Sequence, residues 1–420
     1  MKIACFTALA VIVFITNISC SKTDNVINIP GPQENLISYN LKPYYPKHPD
    51  AFNSKYELII STSNGKILLD TVTDINTSTP LSFKSPESRV NVTTIGYNKQ
   101  LSKYEIQTYK GVNPNQWDTL SFGLGHRMDL NPGNLVSSTL TYNNVPHTTG
   151  MPYLNSYASY LGSGYFLSYS EATINAEYYK CANTPVYLLL PSSGLYSLNY
   201  PAKNPDTINI QKMDTAVQVK FQGIKDYNIA YVDLLGLVDS TDIFSVNYLY
   251  NSPAIVHNNT VNADLLYPGK YFQTYQLTLS VFGNSQGVSH FSYGDSVRTV
   301  LNLPDKSNYN ITSSSYDKFA VQFLNTAPAY YSTTWNLDNI QWTIFASPDS
   351  SAIMPFGMMN ALQAKSFYLK SLNLNNLKLT LFTFENMKNI DFDTYLNFTF
   401  NSMNRKKRLI YYSDIYSIGF

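Results

Sequence analysis

Charge is scarce in this sequence. Charged residues occupy 14% of its 420 positions, well below the roughly 25% that is usual for globular domains. Lys and Arg number 29 against 28 Asp and Glu, which leaves a formal net charge of +1. Because such a balance creates no strong field to attract nucleic acid, we expect no nucleic-acid partner. Glutamate, a strong helix former, occurs only seven times, which argues against a mainly helical protein.

Metal-binding and disulfide-forming residues are also few. The five histidines have neither His-x-His nor His-x-x-x-His spacing, so the sequence predicts no metal site and no cofactor. Cys5, Cys20 and Cys181 are the only cysteines, and the first two lie in the amino-terminal segment. We therefore expect no internal disulfide in the mature chain.

Long apolar runs are absent, since no stretch reaches the ~20 residues that a membrane-spanning helix needs. The longest run covers 3–15, is interrupted only by Thr7, and follows the basic residue Lys2. A short apolar run behind a basic residue is typical of a secretory signal peptide. We predict that residues 1–19 are such a signal.

The predicted signal ends in Asn17-Ile18-Ser19-Cys20. A small residue directly before a cysteine at this point resembles the lipobox of bacterial lipoproteins, although Asn17 stands where that family prefers Leu. The resemblance implies that Cys20 becomes the lipidated first residue of the mature chain, with 20–35 as a polar tether. A triacylated cysteine would hold a protein stably on a membrane. Ordinary cleavage of a secretory signal near the same place is the alternative.

Aromatic residues are plentiful, with 35 Tyr and 22 Phe, and both types favour strands. Apolar and polar residues also alternate, a period-two pattern that predicts strands with one face in a core. Asn64-Gly65, between two such segments, is a typical hairpin turn. We therefore predict an all-β fold, with the clearest alternating strands at 217–221, 277–281, 377–381 and 396–400.

Clusters of turn residues divide the chain into blocks of 75–110 residues, the size of immunoglobulin-like sandwiches. We predict tandem immunoglobulin-like β-sandwich domains, with one short helix or loop at 355–366. The block at 113–213 has no clear alternation and is predicted only to be β-rich. The four predicted domains are 36–112, 113–213, 214–312 and 313–420.

A short motif in the last block suggests a family. Val321, Phe323, Asn325 and Pro328 form a V-x-F-x-N-x-x-P opening, which resembles repeated modules of unknown function in envelope lipoproteins of Bacteroidota. The resemblance implies a β-sandwich in a surface or periplasmic setting, and it brings no catalytic residues.

One segment matches a catalytic motif. Gly283-Asn-Ser285-Gln-Gly287 fits the G-x-S-x-G nucleophile elbow, with His290 close behind. That motif works only on a strand-to-helix turn, whereas 288–293 is predicted to be a strand. A hairpin loop is the favoured interpretation, and a secreted esterase or glycosidase is kept as an alternative. Overall we predict no enzyme and no catalytic residues.

Asp391 and Asp393 lie two residues apart, which would place them on one face of a strand. A calcium ion could use such a pair, but no glycine loop or third carboxylate accompanies them. We favour a solvated edge.

Three tryptophans are candidate glycan contacts. Trp117, Trp335 and Trp342 have Asn, Asp or Gln close by, and sugars stack their C–H faces on aromatic rings while amides and carboxylates bind their hydroxyls. The alternative is that each tryptophan is a core residue beside a turn.

A repeated triplet of Asp, then Ser or Thr, then an aliphatic residue, Ala or Thr resembles the O-glycosylation acceptor of exported Bacteroidota proteins. The alternative is that Asp-Ser/Thr simply begins strands after turns. The candidate acceptors are Thr71, Thr119, Thr207, Thr215, Ser240 and Ser296.

Together these features predict a non-enzymatic envelope lipoprotein with a binding or structural role. Its expected partners are a membrane, through the lipid anchor, and a glycan or another envelope protein. We expect it on the outer membrane, facing either the cell surface or the periplasm. A glycan-binding subunit of a polysaccharide capture system is the second hypothesis.

Overall fold

The computed structural model describes most of the chain after residue 34. The predicted signal peptide and Cys20 lie outside the described part, as does the tether up to residue 34. The described residues are 35–41, 55–74, 77–99, 101–118, 136–149, 152–155, 165–170, 172–180, 185–222, 229–238, 246–257, 260–282, 287–297, 309–315, 318–324, 327–349, 356–370, 372, 374, 376–387, 389–401 and 413–420.

Strands dominate the described residues, so the all-β fold class is confirmed. Those of the first half are β1 Asn35–Leu41, β2 Lys55–Ser61, β3 Ile67–Asp74, β4 Thr79–Ser85, β5 Val90–Asn98, β6 Lys103–Val112, β7 Val136–Asn143, β8 Tyr153–Asn155, β9 Tyr165–Ser170, β10 Thr173–Lys180, β11 Val186–Leu190, β12 Leu195–Asn199, β13 Asp206–Asn209 and β14 Asp214–Thr215. Those of the second half are β15 Val217–Gln222, β16 Ile229–Leu237, β17 Val246–His257, β18 Thr260–Tyr267, β19 Thr274–Phe282, β20 Gly287–Gly294, β21 Tyr309–Ser313, β22 Ala320–Phe323, β23 Tyr330–Leu337, β24 Ile340–Ala346, β25 Lys378–Met387 and β26 Ser413–Gly419.

Fourteen of these strands form one sheet, in the order β15-β18-β17-β16-β19-β20-β26-β25-β23-β24-β6-β5-β2-β3. Its neighbouring strands are antiparallel except β24 and β6, which run parallel with Ile340 opposite Tyr104. The β2–β3 hairpin forms as predicted, with Gly65 at a φ of 88° that favours glycine. The predicted strands at 217–221, 277–281 and 377–381 correspond to β15, β19 and β25.

The large sheet connects segments that were predicted to be separate domains. β20, from the predicted domain 214–312, pairs with β26 of 313–420, and β24 of that last domain pairs with β6 of 36–112. Strand pairing therefore crosses the predicted boundaries, and immunoglobulin-like sandwiches are not confirmed. Periodicity reports which face of a strand is buried, but it does not report which strand lies beside it.

The sheet is covered on both faces where β2, β5 and β6 lie. Ile59 and Ile95 pack into the largest core cluster, whereas Leu58 and Ile60 pack into a second cluster on the opposite face. Strands buried on both faces have continuous apolar runs rather than alternation. Six consecutive buried residues from 56 to 61 fit this rule.

The block at 136–215 forms a sandwich of two four-stranded sheets, ordered β13-β7-β10-β9 and β14-β12-β11-β8. Leu140 and Leu188, from facing sheets, meet in its core. Tyr187 and Leu189 on β11 point the other way, into the core of the large sheet. β11 therefore joins the sandwich to that sheet, which explains its five consecutive buried residues.

Among the described residues, helix α1 covers Phe356–Lys365, helix α2 covers Phe392–Phe400 and a 3₁₀ turn covers Pro114–Gln116. The segment 355–366, predicted to be a short helix or loop, contains the helix α1. The strand prediction at 396–400 is wrong, because that segment belongs to α2. Asp391 caps α2 by accepting a hydrogen bond from Thr394 N at 2.9 Å. Residues spaced as Phe392, Tyr395, Leu396 and Thr399 are then buried on one helix face.

Across the described residues, no helix is both long enough and apolar enough to cross a membrane.

Candidate functional site

The three candidate tryptophans are core residues. Trp117, Trp335 and Trp342 are only 3%, 2% and 1% exposed, so no ring face is open for a sugar to stack on. Trp335 and Trp342 lie directly opposite each other on β23 and β24. Their Nε1 atoms donate to Thr333 Oγ1 at 2.9 Å and to Thr108 Oγ1 at 3.1 Å. The prediction that these tryptophans contact a glycan is therefore wrong, and the alternative that they are core residues is correct.

The candidate glycosylation residues that the structure describes lie at or near the surface. Thr207, Thr215 and Ser296 are exposed and Thr71 is half-buried, while Thr119 and Ser240 lie outside the described residues. Asp206 accepts hydrogen bonds from Thr207 N at 2.8 Å and from Ala202 N at 2.7 Å. Since β13 begins at Asp206 and β14 at Asp214, the turn alternative also fits these sites. O-glycosylation stays a prediction.

The segment that matches the nucleophile elbow lies between two paired strands. Residues 283–286, including Ser285, are outside the described residues, but β19 and β20 on either side pair with Phe282 opposite Gly287. His290 is buried in β20, with its ring 5.3 Å from that of Tyr416. A strand on both sides is the arrangement of a hairpin, and it differs from the strand-to-helix turn that the elbow requires.

Asp391 and Asp393 serve helix α2 and do not share a strand face. Asp391 is the cap described above, and its hydrogen bonds with the side chain and backbone of Thr394 lower its pKa. Both oxygens of Asp393 contact Arg89, at 2.5 and 2.6 Å, and this hydrogen bond raises the Arg89 pKa. Within the described chain, no group of three His, Cys, Asp or Glu side chains is arranged to hold a metal ion.

The carboxylate of Glu57 is completely buried in β2. Its Oε1 accepts a hydrogen bond from Phe367 N at 2.7 Å. Its Oε2 accepts from Ser366 Oγ at 2.7 Å and from Tyr368 N at 3.1 Å. A buried carboxylate is costly unless such donors surround it. Glu57 therefore anchors the turn at 366–370, which directly follows α1.

A second carboxyl group lies beside this anchor. Asp70 on β3 reaches the surface, and its pKa is raised to about 6 by partial burial of its carboxyl group, by the charge of Glu57 and by a hydrogen bond with Glu57. The charge of Lys365 opposes this shift.

An aromatic ladder extends from this anchored turn along the sheet; its three tyrosines are half-buried, and Tyr104 and Tyr368 pack against the largest core cluster. We give this name to Tyr97, Tyr104, Tyr368 and Phe367. Tyr97 and Tyr104 are opposite each other on β5 and β6, with ring centroids 5.0 Å apart. Tyr104 is 6.2 Å from Tyr368, which is 4.9 Å from Phe367. Phe367 is 70% exposed, the highest value among the large hydrophobic residues that the structure describes.

A second aromatic group joins the sandwich to the large sheet. The hydroxyls of Tyr200 and Tyr271 are 2.8 Å apart, and Tyr196 Oη donates to Pro268 O at 3.3 Å. Partial burial and the bond to Tyr200 raise the pKa of Tyr271. This group connects two units of the fold, and we assign it a structural role.

Sequence reasoning missed the aromatic ladder because its members come from segments more than 250 residues apart. One signal was present: Glu57 lies inside the apolar run Tyr56–Ile60. An acid within such a run demands a buried partner, although the sequence does not reveal which segment supplies it.

Comparisons with known proteins add no relative: no family model, curated protein or solved structure matches the chain.

Proposed function

We propose that this protein is a lipid-anchored envelope protein with a non-enzymatic binding role, and that the aromatic ladder is its binding surface. The anchor rests on the sequence, where Cys20 follows a short apolar signal and resembles a lipobox residue. A tether of about 15 residues would separate the folded part from the membrane.

The single observation that carries the binding role is the exposure of Phe367 on a firmly held turn. Exposing a large apolar side chain brings no folding advantage, and three hydrogen bonds to the buried Glu57 fix the turn that bears it. A rigid exposed aromatic is the kind of residue that provides binding energy at low entropic cost.

Lipid labelling and fractionation test the anchor. Cells expressing the full chain are labelled with a clickable palmitate, and wild type is compared with Cys20→Ala and with the control Cys181→Ala. We expect label and membrane retention in wild type and Cys181→Ala, and the loss of both in Cys20→Ala. A Cys20→Ala protein that keeps the label and stays in the membrane fraction would refute the anchor.

Proteinase K treatment of intact and lysed cells then assigns the face. Digestion in intact cells places the sheet on the cell surface, and protection until lysis places it in the periplasm.

A further inference from the structure

Two exposed tyrosines meet where the sandwich joins the large sheet. The sequence contains 35 tyrosines, and among those whose side chains the structure describes only Tyr200 and Tyr271 are exposed, at 55% and 41%. Their hydroxyl oxygens are 2.8 Å apart. The two most accessible phenol groups of the described chain are therefore in contact with each other.

The segments that carry these two tyrosines are held together at a second point. Tyr200 directly follows β12 of the sandwich, and Tyr271 lies in the turn between β18 and β19 of the large sheet. Tyr196, on β12, donates to Pro268 O of the same turn at 3.3 Å. The ring of Tyr271 also packs edge-on against the buried Phe272, with centroids 5.0 Å apart. The contact between the two hydroxyls is therefore supported by its surroundings as well as by its own hydrogen bond.

This geometry favours a particular oxidation of the pair. A phenol that loses one electron and one proton becomes a radical, with unpaired spin on its oxygen and on the ring carbons ortho to it. Each ortho carbon is bonded to the carbon that bears the hydroxyl, so contact between the hydroxyls brings the ortho carbons of the two rings close together. Groups held in this way react far more readily than groups that must first meet by diffusion.

We propose that Tyr200 and Tyr271 form an intramolecular dityrosine cross-link when a haem peroxidase and hydrogen peroxide act on the protein. Each phenol gives up one electron and its hydroxyl proton, and a carbon–carbon bond forms between an ortho carbon of each ring. The hydrogen on each of these carbons then moves to the phenol oxygen, which restores both aromatic rings. The two electrons and two protons reduce one hydrogen peroxide to two waters. This inference goes beyond the proposed binding role and does not depend on it.

Such a cross-link would tie the sandwich covalently to the large sheet. Tyr200 and Tyr271 are 71 positions apart in the sequence, so the link closes a long loop and reduces the number of conformations open to the unfolded chain. Cys181 is the only cysteine beyond residue 20. No disulfide within 21–420 can therefore provide an equivalent link.

Peroxidase treatment of the purified full-length protein in detergent tests the proposal. The protein is kept dilute, so that coupling between molecules is slow, and is treated with a haem peroxidase with or without hydrogen peroxide. Dityrosine fluorescence of the monomer fraction measures the yield, and mass spectrometry of tryptic peptides locates the link. Tyr200→Phe and Tyr271→Phe each remove one hydroxyl and keep the ring. Tyr196→Phe is the matched control, because it removes a neighbouring hydroxyl of the same junction.

In wild type we expect a cross-linked pair of peptides that contain Tyr200 and Tyr271 and have together lost the mass of two hydrogen atoms. Tyr200→Phe and Tyr271→Phe should each lower the fluorescence of the monomer at least fivefold, whereas Tyr196→Phe should stay within about twofold of wild type. Circular dichroism before treatment checks that each variant is folded.

Stability of the treated protein provides a second readout. Peroxide treatment should raise the denaturant midpoint of wild type and of Tyr196→Phe, and should leave that of Tyr200→Phe and Tyr271→Phe unchanged. The proposal is overturned if no dityrosine forms, if the link in wild type maps to other residues, if it joins only separate molecules, or if Tyr200→Phe and Tyr271→Phe fluoresce as wild type does. None of these outcomes bears on the lipid anchor or on the aromatic ladder.

Discussion

Two non-strand segments pack on opposite faces of the same part of the large sheet, and they are held there in different ways. Helix α2 packs against β2 with buried residues that include Phe392, Tyr395 and Phe400. The turn at 366–370 is held on the other face mainly through hydrogen bonds, three to the carboxylate of Glu57 and one from Tyr368 Oη to Lys55 O. It buries Leu369 in the core and leaves Phe367 in solvent.

The difference indicates that the helix contributes mainly to the stability of the fold, whereas the turn holds an aromatic ring in solvent. Apolar burial distributes its free energy over many contacts and tolerates small shifts, as suits a helix that closes a core. Hydrogen bonds to one buried acceptor fix direction as well as position, as suits a turn that must hold an exposed ring. Removing one side chain should therefore mainly lower the free energy of unfolding in the helix, and should mainly loosen the position of the exposed ring in the turn.

The largest effect on stability should come from truncating a buried side chain of helix α2. Phe400 is buried, with ring centroids 5.0 Å from Tyr109 and 5.6 Å from Trp117. We expect Phe400→Ala to lower the free energy of unfolding by about 3–5 kcal/mol. Phe367→Ala, the same substitution on the exposed turn, should change it by less than ~0.5 kcal/mol. Denaturant titration of both variants measures these two changes, and equal losses of unfolding free energy would contradict the proposed difference between the helix and the turn.

Removing the anchor should have the next largest effect. In Glu57→Gln the side-chain NH₂ that replaces one carboxylate oxygen cannot accept a hydrogen bond, so at least one donor of the turn is left unsatisfied, at a cost of about 1–3 kcal/mol. The matched control is Glu87→Gln, because Glu87 also accepts from a backbone amide and a hydroxyl, those of Ser63, but near the surface. We expect the control to cost less than ~1 kcal/mol. Equal costs for both variants would contradict a special role for the buried anchor.

A smaller, pH-dependent effect is expected at Asp70. Its pKa is raised to about 6 in the folded protein, against an unfolded value near 3.9. Between about pH 4 and pH 6 the folded state therefore binds a proton that the unfolded state has released. This contribution to stability is lost as the pH rises through about 6. Asp70→Asn should match wild type below pH 4 and be more stable at pH 7.5, by at most ~1 kcal/mol because the group is partly exposed. Unfolding curves at several pH values measure this divergence, and a constant difference between the two proteins at every pH would contradict a raised Asp70 pKa.

The smallest effect should follow from breaking the ion pair of α2. The side chains of Arg89 and Asp393 are each about half exposed, and ion pairs in contact with solvent contribute little because solvent screens them. We expect Arg89→Ala to cost about 0.5 kcal/mol, with the difference from wild type shrinking at high salt. A loss above 2 kcal/mol that persists in salt would mean that this pair, rather than apolar burial, holds the helix.

The sequence was sufficient for the elements whose evidence is local. Alternation at Leu277, Leu279 and Val281 predicted β19, and Asn64-Gly65 predicted a hairpin. Helix α2 was missed because Leu396, Phe398 and Phe400 alternate by chance, while the signals for a helix were the cap Asp391 and the spacing of Phe392, Tyr395 and Leu396.

What depends on distant partners could not be predicted. The parallel pairing of β24 with β6 joins segments about 230 residues apart, and nothing in either strand specifies that neighbour. The same holds for Glu57 and Ser366. The sequence around Trp335 and Trp342 fits exposed sugar-binding residues as well as a pair of core residues. Which of the two is correct depends on the strands that surround them.

Hydrogen exchange at the Phe367 amide tests most directly whether Glu57 anchors the turn. We predict that this amide is protected in the wild-type protein although its side chain is exposed, and that Glu57→Gln speeds its exchange at least tenfold while Glu87→Gln does not. An unprotected Phe367 amide in wild type, or equal exchange in wild type and Glu57→Gln, would contradict the account.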